Sequence, residues 1–236
     1  MTDNPNIFSK EDEIKGAMIL DEMGLSNTTR FVCLLVRDSK YLETHIAYHR
    51  WDYHSYRDSN IQNYLQVSEY LVEQGYFVIR MGRSVKDEFL SDKTEIIDYA
   101  NSNWSSDFMD IYLAAKCTFC ISTGAGWDAV PSYIFRKPTV FTNIVPFGYL
   151  PTFSNKFFLI TKQHFNKRLK RQLSVSEIFN YSLHNALDIL KFEENGILLI
   201  ENTPEEIKDI VVEMIEFINQ KKIGIWIQMR QLNLKL

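Results

Sequence analysis

The chain reads as an α/β fold, a mostly parallel sheet flanked by helices. Three observations predict it. Short continuous apolar runs, such as FVCLLV at 31–36, have the character of strands covered on both faces. Between them lie segments whose apolar residues recur at helical spacing, and the two kinds alternate from end to end. One junction, residues 117–143, reads CTFCISTGAGWDAVPSYIFRKPTVFTN: a strand-like run, a glycine-bearing turn, a helix-like segment from Trp127 to Phe135, and a second strand. That order is the repeating unit of Rossmann-like sheets, whose loops face a ligand.

The elements follow in order. Residues 1–28 form a helical lead-in, with Ser9 as N-cap and Ile14, Met18, Ile19 and Met23 at helical spacing. Asp12 stands where a capping box prefers the longer Glu or Gln. A Rossmann-like domain is expected over 29–220. After the strand at 31–36, residues 41–58 make a polar-aromatic connector of the kind that often carries function. A helix is expected from Asn60 to Gln74, closed by Gly75, then a strand at 76–82, a charged loop, and a short strand at 95–101. A helix from Asp107 to Lys116, with Phe108, Ile111, Tyr112 and Ala115 inward, delivers the chain into the glycine turn. Beyond it come strands at 139–143 and 157–163, a basic hinge at 168–174, a helix from Ser174 to Tyr181, and a strand at 196–202. The segment 203–220 carries every helix signal: Thr203 as N-cap, Pro204 at N1, acids in the first turn and one apolar face. The tail, 221–236, is apolar and suits an edge element or a partner contact.

Composition narrows the function. With 26 basic and 30 acidic residues the chain is nearly neutral, which argues against nucleic acid as a partner. No apolar run reaches the roughly 20 residues of a membrane span. The acidic start, MTDNPNIFSKEDE, is unlike a secretory signal, so a cytoplasmic protein is expected. Three cysteines, Cys33, Cys117 and Cys120, lie in or beside apolar runs and read as buried thiols. The pair Cys117 and Cys120 lacks a second C-x-x-C, and in one strand the two would point to opposite faces. His45, His49 and His54 lack the glutamate of H-E-x-x-H. No metal site is expected.

The candidate site gathers at strand ends. Arg37 and Asp38 follow the first strand, Arg57 and Asp58 end the connector, Arg80 ends the second strand, and Ser122, Thr123, Gly124 and Gly126 form the turn. In an open α/β sheet these positions share the ligand-binding edge. Arginine forks pair with phosphate oxygens bidentately, glycines let backbone N–H groups approach an anion, and the hydroxyls add donors. Asp38 and Asp58 are candidates for a general base. The turn lacks the P-loop pattern, the G-x-G-x-x-G fingerprint and the G-x-S-x-G elbow. What remains is the donor half of a nucleotide-sugar enzyme, with the donor as substrate and no cofactor.

The blocks FVCLLVRDSKYL, YRDSNIQNYLQVSEYLVEQGYFVIRMG, IIDYANSNWSSDFMDIYLAAKCTFCISTGAGWDAVP and ENTPEEIKDIVVEM together resemble a family of bacterial glycosyltransferases found with surface-polysaccharide genes. The resemblance runs from about Phe8 to Glu216 and implies the C-terminal, donor-binding half of a GT-B-like fold. It marks VRDS at 36–39, YRD at 56–58, RMG at 80–82, SDFMD at 106–110 and the run 122–131 as signature positions. With no metal motif in the chain, the expected reaction is a metal-independent transfer from a nucleotide-sugar to a surface-glycan acceptor, in the cytoplasm or at the inner face of the membrane. Because the family pairs this half with an N-terminal acceptor domain, the expected partners include a separate acceptor-domain protein or a second copy. A non-catalytic nucleotide-sugar binding module and a nucleotide-sugar epimerase are the alternatives. Arg37 is expected to contact the donor diphosphate, by analogy with fucosyltransferase-type folds.

Overall fold

The computed structural model describes residues 7–48, 50–149 and 156–220. Six parallel strands form the main sheet: β1 (Phe31–Leu35), β2 (Phe77–Arg80), β3 (Ile96–Ile97), β4 (Phe119–Ser122), β5 (Thr139–Ile144) and β6 (Phe157–Thr161), in the order β3-β2-β1-β4-β5-β6. The chain builds outward from β1 to β3, then restarts on the other side of β1. The connections after β1 and β4 therefore leave in opposite directions and open a crevice at the C-terminal edge. This is a Rossmann-like sheet, as the sequence predicts.

Strand periodicity sorts the core. Val32, Leu34 and Val36 face one side, where α3 (Leu65–Glu73) and α7 (Pro204–Asn219) cover them. Phe31, Cys33 and Leu35 face the other, against α1 (Lys10–Glu22) and α4 (Asp107–Lys116). Both faces are covered, hence the unbroken apolar run. The lead-in is thus part of the domain core, through Leu20, Met23 and Leu25. Its inner face differs from expectation, since Ile14 and Met18 are exposed and Gly16 and Leu20 are buried. Gly16 sits where a Cβ would meet the Tyr112 ring at 2.3 Å, so the close approach of α1 to α4 selects the small residue. Asp12 does complete the capping box with Ser9. On α4 the inward residues are Met109, Tyr112 and Leu113, while Ile111 is exposed.

Several elements are shorter or differently wound than their sequence suggests. The expected helix at 60–74 begins as a 3-10 turn, Ile61–Tyr64. The connector 41–58 holds a short helix, α2 (Lys40–His45), and a 3-10 turn, Asp52–Arg57. The strand at 95–101 shrinks to β3, followed by a 3-10 turn at Tyr99–Asn101. The expected helix at 127–135 is a 3-10 turn, Gly126–Asp128, running into a π-turn, Val130–Ile134. Pro131 supplies no N–H to an α-helical ladder, and the Phe135 N–H bonds instead to the Val130 carbonyl at 3.0 Å.

The segment at 157–163 divides at Lys162. β6 ends there, and β7 (Gln163–Asn166) turns away to pair antiparallel with β8 (Arg171–Gln172) and β9 (Ile197–Ile200). The basic hinge is therefore a β-hairpin, and the strand at 196–202 belongs to this second sheet. Helices α5 (Val175–Asn180) and α6 (Ile189–Glu194) close its core around Phe147, Leu173, Ile178, Phe192 and Ile197. Asn143, with φ 56°, fastens the small sheet to the large one. Its backbone N–H donates to Asn202 Oδ1 and its own Oδ1 accepts from the Asn202 N–H, both at 2.7 Å. Asn143 Nδ2 donates to Tyr64 Oη, and Asn202 Nδ2 donates to the Thr161 carbonyl. Asn143, Asn202 and Tyr64 are buried and Thr161 partly so, which makes this a polar clamp whose members satisfy one another. No helix among the described residues is long and apolar enough to cross a membrane, and the tail at 221–236 lies outside them.

Candidate functional site

A cavity of about 600 Å³ opens at the crevice between β1 and β4. It falls within the usual 300–1,000 Å³ range of ligand pockets. Four of the residues named from sequence line it: Arg37, Asp38, Arg57 and Gly126. Tyr41, Trp51, His54 and Trp127 supply aromatic walls, and Arg83 and Asp110 add charge.

The arginines differ in what holds them. Arg37 pairs with Asp58, and its backbone N–H donates to Thr123 Oγ1 at 2.8 Å. The Arg37 side chain is 10% exposed and that of Asp58 30%. Burial lowers the guanidinium's pKa and raises the carboxyl's, each opposed by the other's charge. Asp58 does not line the cavity; it anchors Arg37, and its carbonyl accepts from Lys162 Nζ. Arg83 reaches Asp107 across an exposed surface. Arg57 has no carboxylate within salt-bridge distance among the described residues. It donates to the Gly124 carbonyl and lies 5.0 Å over the Tyr149 ring.

Arg80 has surroundings other than those expected. Its guanidinium is 1% exposed, bonded to Asp98 at 2.8 Å and to the Asp87 carbonyl, and it does not line the cavity. It fixes the 83–98 loop against β2, and a buried paired cation of this kind is costly to divert to a ligand.

The glycine turn is wired from within. Ser122 Oγ donates to Asp128 Oδ2 at 2.6 Å and accepts the Gly124 N–H at 3.1 Å. Thr123 joins β4 to β1 through the Arg37 N–H and through its own N–H to the Leu35 carbonyl. Both hydroxyl residues are buried, so neither presents a donor to the cavity. Gly124, at φ 80°, occupies left-handed backbone, and a Cβ there would meet Ile144 Cδ1 at 2.9 Å. Burial pushes the Asp128 carboxyl up to about 6, against the Ser122 hydroxyl and the Ala125 N–H. The turn thus contributes a rigid wall ending in Gly126 and Trp127.

Two acids line the cavity. Asp38 caps loops: Oδ1 accepts the Lys40 N–H and Oδ2 the Lys86 N–H, both at 2.9 Å. Asp110 projects from α4, accepts the Tyr99 hydroxyl at 2.8 Å, and is raised in pKa by burial. Its backbone carbonyl accepts Trp127 Nε1 at 3.2 Å, tying α4 to the glycine turn. Sequence reading did not single out Arg83, and it reached Trp127 and Asp110 only as members of the 122–131 run and the SDFMD block. The nearest signal was their position just beyond a strand end or a glycine.

The cysteines form no site here. Cys33 and Cys120 are register partners, and Cys117 caps α4 before β4 begins, so all three share one buried cluster. The expectation that Cys117 and Cys120 face apart assumed a single strand. Burial pushes the Cys33 and Cys120 thiols up. Among the described residues no group of three or more His, Cys, Asp or Glu side chains is placed to hold a metal. His49 lies outside them. Comparison of the chain with protein-family models, curated proteins and solved structures returns no match.

Proposed function

We propose that this chain is the donor-binding unit of a glycosyltransferase that moves a sugar from a nucleotide-sugar to a surface glycan. The observation that carries the reading is the position of the cavity. It sits at the switch point of a parallel sheet, with three arginines, Arg37, Arg57 and Arg83, and the end of a glycine turn in its wall. Arg57 is the natural phosphate ligand, since no carboxylate within the described residues forms a salt bridge with it and its fork is held between the Gly124 carbonyl and the Tyr149 ring. Arg37 adds field from behind while remaining tied to Asp58. The aromatic walls suit a nucleobase or a sugar face. In transfer, positive charge held in place before the reaction stabilises the departing nucleoside diphosphate. The acceptor is held by a partner, a separate acceptor-domain protein or a second copy.

The test is a thermal-shift screen against UDP-, GDP- and CMP-sugars. Ligand at about a hundred times its Kd stabilises by about 2.7 kcal/mol, roughly 5–10 °C for a domain of this size. Arg57→Ala should abolish most of that shift. No stabilisation by any of the three classes overturns the reading.

A further inference from the structure

The same cavity contains one carboxylate whose hydrogen-bonding capacity is not spent. Asp58 is outside the cavity and paired with Arg37, and each oxygen of Asp38 already accepts a backbone N–H. Asp110 differs. Its Oδ1 accepts the Tyr99 hydroxyl, and its Oδ2 has no hydrogen-bond partner among the described residues. Tyr99 is fully buried and is itself fixed by the Ser106 N–H at 3.0 Å, so the carboxylate has a rigid support. The Trp127 indole on the Asp110 carbonyl fixes the backbone as well. A desolvated carboxylate held on one oxygen and open on the other is a hydrogen-bond acceptor in search of a donor. In a cavity that also presents Arg57, the donor most consistent with the surroundings is a sugar hydroxyl.

We infer that Asp110 Oδ2 accepts a hydroxyl of the bound ligand's ribose or transferred sugar, making Asp110 the residue that selects hydroxylated ligands over bare phosphate. This rests on the reading of the cavity as a nucleotide-sugar site. Asp110→Asn is the informative variant, because its amide oxygen still accepts from Tyr99 while its NH₂ cannot accept a hydroxyl proton.

Titration calorimetry of wild type and Asp110→Asn would use UDP-glucose, GDP-mannose and CMP-N-acetylneuraminate, the matching free nucleotides, and pyrophosphate. Asp110→Asn should bind pyrophosphate as wild type does and lose about tenfold or more on a hydroxylated ligand, the scale of a hydrogen bond to a charged group. A loss already present with the free nucleotide assigns the hydroxyl to ribose; a loss confined to the nucleotide-sugar assigns it to the transferred sugar. Wild-type affinity should also fall on acidification as Asp110 takes up a proton, and Asp110→Asn should lack that component. Arg83, Asp107 and Tyr99 are the other charged or titratable groups acting on Asp110, and the variant leaves all three in place. Affinities within twofold of wild type on every ligand overturn the assignment while leaving the cavity reading intact. No binding of any ligand by wild type overturns both.

Discussion

The two halves of one sheet edge have opposite fates. Beyond β1 and β4 the loops diverge, and Arg57 and Asp110 are left with hydrogen-bonding capacity facing a cavity. Beyond β5 and β6, the next strands along, the chain folds a second sheet over the edge. There Asn143, Asn202, Tyr64 and Thr142 spend their polar groups on one another. Both places carry polar side chains, charged in the open half and neutral in the closed one. What differs is whether the protein itself completes the hydrogen bonds. The open half suits binding because its polar groups are satisfied only in part, and the closed half is structural because Asn143, Asn202, Tyr64 and Thr142 satisfy one another.

The largest effect that should sharpen the contrast is on the closed half. Asn202→Leu removes two side-chain hydrogen bonds and strands the buried Asn143 N–H and the partly buried Thr161 carbonyl. A loss of about 3 kcal/mol in urea unfolding is expected, toward the lower part of about 1–3 kcal/mol per stranded group, with ligand-induced stabilisation per mole of ligand unchanged. A loss under about 1 kcal/mol would mean the clamp is not what closes this edge.

Arg37 sits on the boundary between the halves, and its variant gives the next effect. A purely ligand-binding Arg37 would tolerate Arg37→Ala without loss of the fold. The largely buried pair with Asp58 argues otherwise: removing one partner of a fully buried pair costs about 3 kcal/mol or more, and with Asp58 30% exposed a loss of about 2 kcal/mol is expected. Arg37→Met with Asp58→Leu should recover most of that stability. A stable single variant would return Arg37 to a purely ligand-binding role.

The smallest effects are in pH dependence, and they have opposite signs in the two halves. In the closed half, burial holds His164 down to about 4 from an ordinary value near 6.5. The unfolded chain protonates first, so stability is lost as pH falls from about 6.5 toward 4. In the open half Asp128 is raised to about 6 from 3.8. The folded chain takes the proton first, so acidification through the same window adds stability. Between pH 7 and 5.5 each amounts to about 1 kcal/mol, and they nearly cancel. Relative to wild type, His164→Leu should gain stability over this window and Asp128→Asn should lose it. Equal slopes in all three proteins would show that neither group is shifted as its burial implies.

Much of the main sheet was legible because parallel strands buried on both faces leave continuous apolar runs, as in Phe31–Leu35 and Thr139–Ile144. α7 was legible because its cap, proline, acids and apolar face agree. The outer sheet was not, because β8 spans two exposed residues and β9 is separated from its partner β7 by about thirty residues. The face of α1 was misread since Gly16, which carries no hydrophobic signal, is what packs on Tyr112. For the site, Arg37, Asp38, Arg57 and Gly126 follow from strand-end position alone. The commitment of Arg80 to Asp98 and the exclusion of Ser122 and Thr123 depend on contacts that no local pattern encodes. Asp110 was hidden for the same reason, as its surroundings are set by Tyr99 and Trp127.

The return of α7 to the main sheet bears on the order of events during synthesis. Every residue that lines the cavity precedes Asp128, yet Ile207, Ile210, Val211, Met214 and Ile215 are needed to cover the apolar face shared by β1, β4, β5 and β6. At the ribosome's roughly 5–20 residues per second, the gap between the two corresponds to about 4–18 s. During that interval the nascent chain carries its ligand-facing loops and most of its sheet, with one side covered by α3 alone. The vulnerability of this protein to premature association therefore falls in a defined window of translation, and it closes when the last described helix arrives.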